Sequence, residues 1–305
     1  MGLIRRVIAY VTGTFTITRR LAKIERTLGM LGDHTSFLES RLSDMLLILQ
    51  SQHKEPQIRL ITDFPVAITS HDHLYPRGTK ADNTRYPRLC YKLEQVFQGQ
   101  KLRVLDLGCS GGGLVYNFLQ RGHFAIGLEG SDYSLKYQRA EWPIIPHHLK
   151  TCDITKPFRL ESLDGQSALF DVVTAWEVLE HIPQESVGQL FKNIFSHLKP
   201  GGIFIASVAQ FQDYDPMTGA VWHVTLKSRD WWENLARSNG FLVLDDHMFE
   251  AYDFPRGSGN GVLDWSVVSN PDLGFHLVIQ KGGGADEMFR SNQSSQVEFT
   301  NPISQ

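Results

Sequence analysis

Residues 104–113 read Val-Leu-Asp-Leu-Gly-Cys-Ser-Gly-Gly-Gly. A short apolar run, Val104 to Leu107, ends in a cluster of small residues, and a helix-like stretch from Leu114 to Gln120 follows at once. The order predicts strand, tight turn, helix. Glycine takes positive φ easily and lets a ligand approach the backbone. The first turn of the helix offers N–H groups with no partner inside the helix. Such a junction receives the polar or anionic end of a nucleotide-like ligand.

Outward from this turn the pattern alternates. Strand-like runs occupy 103–107, 124–129, 148–152, 170–175, 202–208, 241–246 and 274–280; helical stretches occupy 114–121, 132–140, 184–198 and 228–238. Strands separated mostly by helices predict an α/β fold built on a doubly wound parallel sheet. The last two strands have no helix between them, so an antiparallel pair is expected at one edge. Upstream, Arg88 to Gln98 reads as a helix with Leu89, Leu93 and Val96-Phe97 on one face.

The whole chain narrows the function class. A formal net charge of −3 over 305 residues leaves no global basic surface, which argues against a nucleic-acid partner. The three cysteines, Cys90, Cys109 and Cys152, are odd in number and lack metal-ligand spacing. Neither a disulfide framework nor a structural zinc site is expected, and a cytoplasmic, reducing compartment fits. No apolar run approaches the ~20 residues of a membrane-spanning helix.

Four segments are expected: 1–50, 51–100, 101–282 and 283–305. In the first, Leu21, Ile24, Leu28, Leu31, Leu38, Leu42, Met45 and Leu49 follow steps of three and four, with Thr35 in the polar gap. That is a heptad seam, read as a coiled coil that makes a homo-oligomer. The alternatives are an amphipathic helix packed on the rest of the chain, or peripheral contact with an anionic membrane through Arg5, Arg6, Arg19, Arg20 and Lys23. The second segment is a connector. Its stretch His71 to Asn83 is too rich in specific polar side chains for an inert linker. The tail from residue 283 is rich in Gly, Ser, Gln and Asn and is expected to be disordered.

Acidic signals follow the glycine turn in order. Glu129 ends the second strand, where a carboxylate can accept both ribose hydroxyls of an adenosine, with Gly130 beside it. Cys152-Asp153 ends the third strand, placed for an adenine edge. Asp171 to Glu177 runs through the fourth strand and its exit. A nicotinamide-binding oxidoreductase is the first alternative, but the dinucleotide fingerprint wants glycine where Ser110 stands. Asp106 would also repel a pyrophosphate. It suits a ligand that ends in a cationic amine.

From Lys101 to about Gly282 the chain resembles class I S-adenosylmethionine-dependent methyltransferases. Val104 to Gly112 matches that family's first motif, and Glu129 and Asp153 its ribose- and adenine-contacting acids. Asp171 to Glu180, Leu198-Lys199-Pro200-Gly201-Gly202 and Ser238-Asn239-Gly240-Phe241 match the later motifs. The resemblance implies a Rossmann-like seven-stranded sheet of order 3-2-1-4-5-7-6 with the seventh strand antiparallel. It implies S-adenosyl-L-methionine as cofactor, held by Asp106, Gly108, Ser110, Gly111, Glu129, Gly130, Cys152, Asp153 and Glu177. Asp171 could equally serve the fold by bonding backbone.

Methyl transfer to oxygen needs positioning and a base near the acceptor. His223, in Trp222-His223-Val224-Thr225, and His181, in Glu177-Val178-Leu179-Glu180-His181, are the two candidates. Some quinone-type O-methyltransferases place a divalent metal on the latter pattern, while many relatives carry similar residues without one; no metal is expected here. In this family the region before the first strand folds over the cofactor, so His73, Tyr75 and Arg77, with Trp222, are the candidate acceptor contacts. Arg77 could pair with the cofactor carboxylate or an anionic substrate, or brace the lid. The expected acceptor is a hydroxyl on a small molecule or glycan precursor. The glycan reading rests on resemblance of the Tyr75–Thr79 and Trp222-His223 regions to bacterial methyltransferases of sugar pathways. The alternative outside catalysis is a cofactor-binding interaction protein recruited through its coiled coil.

Overall fold

The computed structural model describes residues 58–255 and 271–282, with scattered positions between 21 and 46. The chain divides into two units, Met1–Gln52 and His53–Gln305. In the first, the described positions are helical, and the seam residues Leu21, Ile24, Leu38 and Leu42 are exposed. Leu28, Leu31, Met45 and Leu49 lie outside the described residues, as does the tail from 283.

The second unit is built on β2 (Arg103–Leu107), with β3 (Phe124–Glu129) on one side and β6 (Phe170–Trp176) on the other. Both faces of β2 are covered beyond Arg103, which is why Val104 to Leu107 reads as an apolar run broken only by Asp106. The sheet continues through β4 (Leu149–Thr151) beyond β3, and through β7 (Leu198–Ala209), β9 (Gly274–Lys281) and β8 (Phe241–Val243) beyond β6. Its order is β4-β3-β2-β6-β7-β9-β8, parallel except for β9, which runs antiparallel to β7 and β8. Numbered within the sheet, that is 3-2-1-4-5-7-6, as the resemblance implied.

Helices cover both faces. α3 (Pro87–Val96) begins with proline at its first turn and buries Leu89, Cys90, Leu93 and Val96. α4 (Gly113–Gln120) springs from the glycine turn. α6 (Gln184–His197) lays Val187, Leu190, Phe191 and Ile194 on the opposite face, beside Trp232 and Ala236 of α7 (Arg229–Ser238). Ahead of β2 lie two short helices, α1 (His71–Leu74) and α2 (Arg77–Ala81), in the segment expected to fold over the cofactor. Among the described residues, no helix is long and apolar enough to cross a membrane.

Two expectations need correction. The helix expected over 132–140 is only α5 (Tyr133–Lys136). Gln138 and Ala140 turn left-handed, and Glu141 N returns to Gly111 O at 3.0 Å, so tertiary hydrogen bonding draws the chain back over the glycine turn. The connector also holds a strand, β1 (Ile58–Ile61), paired antiparallel with β5 (Arg159–Ser162). Each is four residues long, too short to stand out as a periodic signal.

Candidate active site

The glycine turn is shaped first by its protein neighbours. Gly108 has φ +72, and a Cβ there would lie 2.4 Å from Val178 Cγ2. Its N–H and that of Cys109 donate to Leu128 O at 2.8 and 3.1 Å, tying the turn to β3. A Cβ on Gly111 would lie 2.5 Å from Asn83 Oδ1, and one on Gly113 would lie 2.6 Å from Thr84 O. The irregular segment leading from α2 into α3 thus crosses directly over the turn, and only glycine leaves it room.

Buried carboxylates flank this turn. Asp106 Oδ1 accepts from Thr174 Oγ1 at 2.7 Å, and burial pushes its carboxyl up to about 7. Glu129 Oε2 accepts from Ser110 N at 2.7 Å, while Oε1 accepts from Ser131 N at 3.0 Å and Thr79 Oγ1 at 3.3 Å. Burial raises its carboxyl too, and the two backbone donors oppose the rise. Ser110 takes φ +46 and donates to Asp82 O at 2.8 Å, with Arg139 Nη2 at 2.9 Å from its Oγ. Gly130 O accepts from Ala67 N at 2.8 Å. Cys152 is fully buried, its thiol pushed up to about 12, so it remains protonated. Asp153 Oδ1 accepts from Thr155 N and Oγ1 at 2.9 and 2.5 Å, and its backbone N–H reaches Phe64 O at 2.9 Å. Connector residues therefore run past the ends of β3 and β4.

A second cluster gathers beyond β6. Glu177 holds φ +53, a left-handed conformation that costs about 1 kcal/mol or more in a non-glycine residue and concentrates at functional sites. Its N–H donates to Ser207 O and Oγ at 3.2 and 3.1 Å. Glu180 is fully buried; Oε1 accepts from Ala209 N at 3.1 Å, and burial with neighbouring Glu177 pushes its carboxyl up to about 8. His181 Nδ1 lies 2.9 Å from Asp72 Oδ2 of α1. Burial disfavours its imidazolium, but Asp72, Glu180 and Glu177 outweigh burial and raise it to about 9. The His223 ring meets it edge-on at 4.9 Å, and burial together with the His181 charge lowers the His223 pKa. His223 Nδ1 lies 2.7 Å from Phe211 O. A carbonyl only accepts, so Nδ1 carries the proton and Nε2 the lone pair.

The structure therefore brings His181 and His223 together, with residues of α1 and α2 beside them. Arg77 lies 4.0 Å above the Trp222 ring and pairs with Asp213, whose carboxylate is also 4.0 Å from His223 Nε2. Trp222 Nε1 donates to Tyr75 O at 3.3 Å, while the Tyr75 side chain is exposed. His73 stands on the other side, with Nδ1 3.8 Å from Asp132 Oδ1 near the end of β3. Asp171 is away from the cluster: it accepts from Arg103 N at 2.8 Å and Lys199 Nζ at 2.7 Å, a role in the fold. Sequence reasoning missed Thr79, Thr174 and Asp213. Each is an ordinary polar residue whose partner lies far along the chain, so no local pattern marks it.

Glu180, His181 and His223 each offer a ligand atom within 4.8 Å of the others, a spacing that could hold a metal ion. Glu180 Oε2 is buried and has no hydrogen-bond partner among the described residues, so the donor set fits a divalent cation.

The profile described as a methyltransferase domain matches residues 81–251, more than half of the chain. The chain belongs to the methyltransferase-domain family. The resemblance drawn from the motifs stands with it, and a nicotinamide oxidoreductase is not favoured. A curated ubiquinone biosynthesis O-methyltransferase from Paramagnetospirillum magneticum is 27% identical over 62% of this chain and 76% of its own length. One of the same name from Idiomarina loihiensis is 37% identical over 35% of this chain and 42% of its own, so the chain spans less than half of that relative. A solved structure, the Burkholderia thailandensis 1,6-didemethyltoxoflavin-N1-methyltransferase with S-adenosylhomocysteine bound, is 17% identical. It aligns with a TM-score of 0.43 over 70% of this chain and 84% of its own.

Proposed function

We propose that this methyltransferase moves the methyl group of S-adenosyl-L-methionine to a hydroxyl oxygen of a small molecule. The observation that carries the reading is the pair of buried carboxylates, Asp106 and Glu129, on either side of one glycine turn. Asp106 suits the cationic amine of the donor. Glu129 suits its ribose diol, displacing Thr79 Oγ1 from Oε1. Gly108, Ser110 and Gly111 form the turn that borders the donor; Gly130, Cys152 and Asp153 border its adenine, and Glu177 its methyl end. When bound, the donor supplies a methyl group already activated by a sulfonium.

This chain's own residues supply the rest. His223 is neutral, with a lone pair on Nε2, and takes the acceptor hydroxyl proton. His181, charged against Asp72, stabilises the oxygen as it gains negative character. Oxygen is favoured over nitrogen because the curated relatives are named O-methyltransferases. Glu180 Oε2, without a partner among the described residues, favours a second reading: Glu180, His181 and His223 would hold a divalent cation, which would supply Lewis-acid polarisation of an acceptor oxygen. Prolonged chelation separates the two: activity that survives it belongs to the histidines alone.

The test of the whole reading is calorimetric titration with S-adenosylmethionine, followed by radiolabelled methyl transfer to candidate acceptors. Saturable donor binding is expected. No binding would overturn the proposal, and binding without transfer to any acceptor would favour the interaction-protein alternative. His223→Asn is expected to lower kcat at least ~100-fold with donor affinity unchanged. The heptad segment is assigned to self-association. Removing residues 1–50 is then expected to yield a monomer, and light scattering that shows the same oligomer number would refute it. The three free, buried cysteines support a reducing, cytoplasmic setting.

A further inference from the structure

Ser110 sits inside the glycine turn with φ +46. A residue with a Cβ keeps that left-handed conformation only where its surroundings over-determine it. Here every polar atom of Ser110 is engaged. Its N–H donates to Glu129 Oε2 at 2.7 Å, and its carbonyl oxygen accepts from Trp142 Nε1 at 2.8 Å. Its hydroxyl donates to Asp82 O at 2.8 Å, which leaves the Oγ lone pairs to accept from Arg139 Nη2 at 2.9 Å.

Two of these four partners come from the segment that follows α5. Left-handed turns at Gln138 (φ +48) and Ala140 (φ +49) fold it back onto the glycine turn, where Glu141 N donates to Gly111 O at 3.0 Å. The Arg139 side chain is aimed from its own base: its Nε lies 3.3 Å from Oγ of the buried Ser134. Its Nη2 then donates to both Ser110 Oγ and Asp82 O. One guanidinium thus ties together α5, the glycine turn and the link between α2 and α3. Its charge strengthens each of these bonds and persists at every pH at which the protein is folded.

The consequence falls on Glu129. Its Oε2 is held by the Ser110 N–H, and its Oε1 by Ser131 N and Thr79 Oγ1. The N–H, carbonyl and hydroxyl of Ser110 meet their partners from this one left-handed conformation. Without the guanidinium, the Ser110 hydroxyl keeps only a backbone acceptor, and the turn can relax toward negative φ. Glu129 would then lose one of its two backbone donors, and with it the placement in which the carboxylate meets the ribose diol.

We propose that Arg139 is a positioning residue of the donor site. It locks Ser110 in the conformation that aims the Ser110 N–H at Glu129, and so sets donor affinity through two intermediaries. This rests on the methyltransferase reading and adds to it a residue outside the strand–turn–helix motif. Trp142 supports the same node from the carbonyl side of Ser110.

The test is a double-mutant cycle on the full-length protein, read by calorimetric titration with S-adenosylhomocysteine and by thermal melting. The variants are Arg139→Gln, Ser110→Ala, the two combined, and Arg139→Lys. Each of the first two is expected to weaken S-adenosylhomocysteine binding about tenfold. Because they break the same link, the combined variant is expected to stay within about threefold of either single one. Arg139→Lys keeps a charged donor and is expected to recover part of the loss. Losses that multiply to about 100-fold in the combined variant would mean that Arg139 acts on the ligand independently of Ser110, and would overturn the proposal. Parent-like affinity in Arg139→Gln overturns it as well, and a lowered melting temperature beside that affinity would make Arg139 a brace of the fold alone. Should Arg139→Gln fail to fold, the cycle runs on Arg139→Lys with the same criterion. A parent protein that does not bind S-adenosylhomocysteine overturns the donor reading and the role of Arg139 with it, whereas every other outcome leaves the donor reading standing.

Discussion

Replacing Asp106 by asparagine separates what this residue does for the ligand from what it costs the fold. Asp106 is 3% exposed. Burial raises its carboxyl from an ordinary 3.8 to about 7, against the hydrogen bond from Thr174 and helped by the nearby charge of Glu129. A carboxyl raised in this way holds its proton more tightly in the folded than in the unfolded chain. Its effect on stability is absent below the unfolded pKa and becomes a growing penalty as pH rises to the folded one. At ~1.4 kcal/mol per pH unit, the interval integrates to roughly 4 kcal/mol. Asparagine has nearly the same shape, still accepts from Thr174 Oγ1 and never ionises. Asp106→Asn is therefore expected to be more stable than the parent above about pH 7, by up to ~4 kcal/mol, with the difference closing near pH 4. Urea midpoints of both proteins, measured from acid to alkaline pH, read this directly, because other titrating groups such as Glu180 contribute to both and cancel. The same variant loses the carboxylate assigned to the donor's amine, and its affinity for S-adenosylmethionine is expected to fall about 10- to 100-fold. A stability difference that does not vary with pH would show that Asp106 does not titrate in this interval. A variant that binds S-adenosylmethionine like the parent would remove Asp106 from the donor site.

Glu129→Gln removes the charge that Ser110 N, Ser131 N and Thr79 Oγ1 converge on. Donor affinity measured by calorimetry is expected to drop on the order of 100-fold, and a drop of less than about threefold would exclude the ribose role. Gly108→Ala forces a side chain into φ +72 against Val178 Cγ2 and is expected to cost at least about 2 kcal/mol in chemical denaturation. Adding Val178→Ala should recover part of that loss, and no recovery would refute the packing argument. Asp171→Asn weakens its hold on Arg103 N and Lys199. It is expected to lower stability by ~1–2 kcal/mol with donor affinity intact, whereas lost affinity at unchanged stability would make it a ligand contact.

Much of the fold was legible because its signals are local. The strands at 103–107 and 124–129 read correctly and that at 170–175 to within one residue, since a strand buried on both faces is largely apolar. The helix ending near 198 read correctly from its apolar face. The 132–140 helix did not, because hydrogen bonds from Arg139 and Glu141 to distant residues override a helical pattern of their own. The site divides along the same line. Asp106, Glu129 and the glycines announce themselves through position in a strand–turn–helix unit. Asp72 standing on His181, Asp213 on Arg77 and Phe254 on His276 do not, because each joins residues more than twenty positions apart.

A parallel sheet that closes on a glycine turn flanked by acids, and with it the class of donor, is written in local patterns of the chain. Strand–turn–helix units carry that information within about thirty residues, through hydrophobic period and backbone freedom. The contacts between distant segments come from the tertiary structure alone: Gly111 and Gly113 make room for the chain of residues 83–85, Asp72 of α1 stands against His181, and Phe254 meets Trp176 edge-on. Those contacts arise where separate loops meet over the strand ends, and no pattern along the chain encodes which loops will meet.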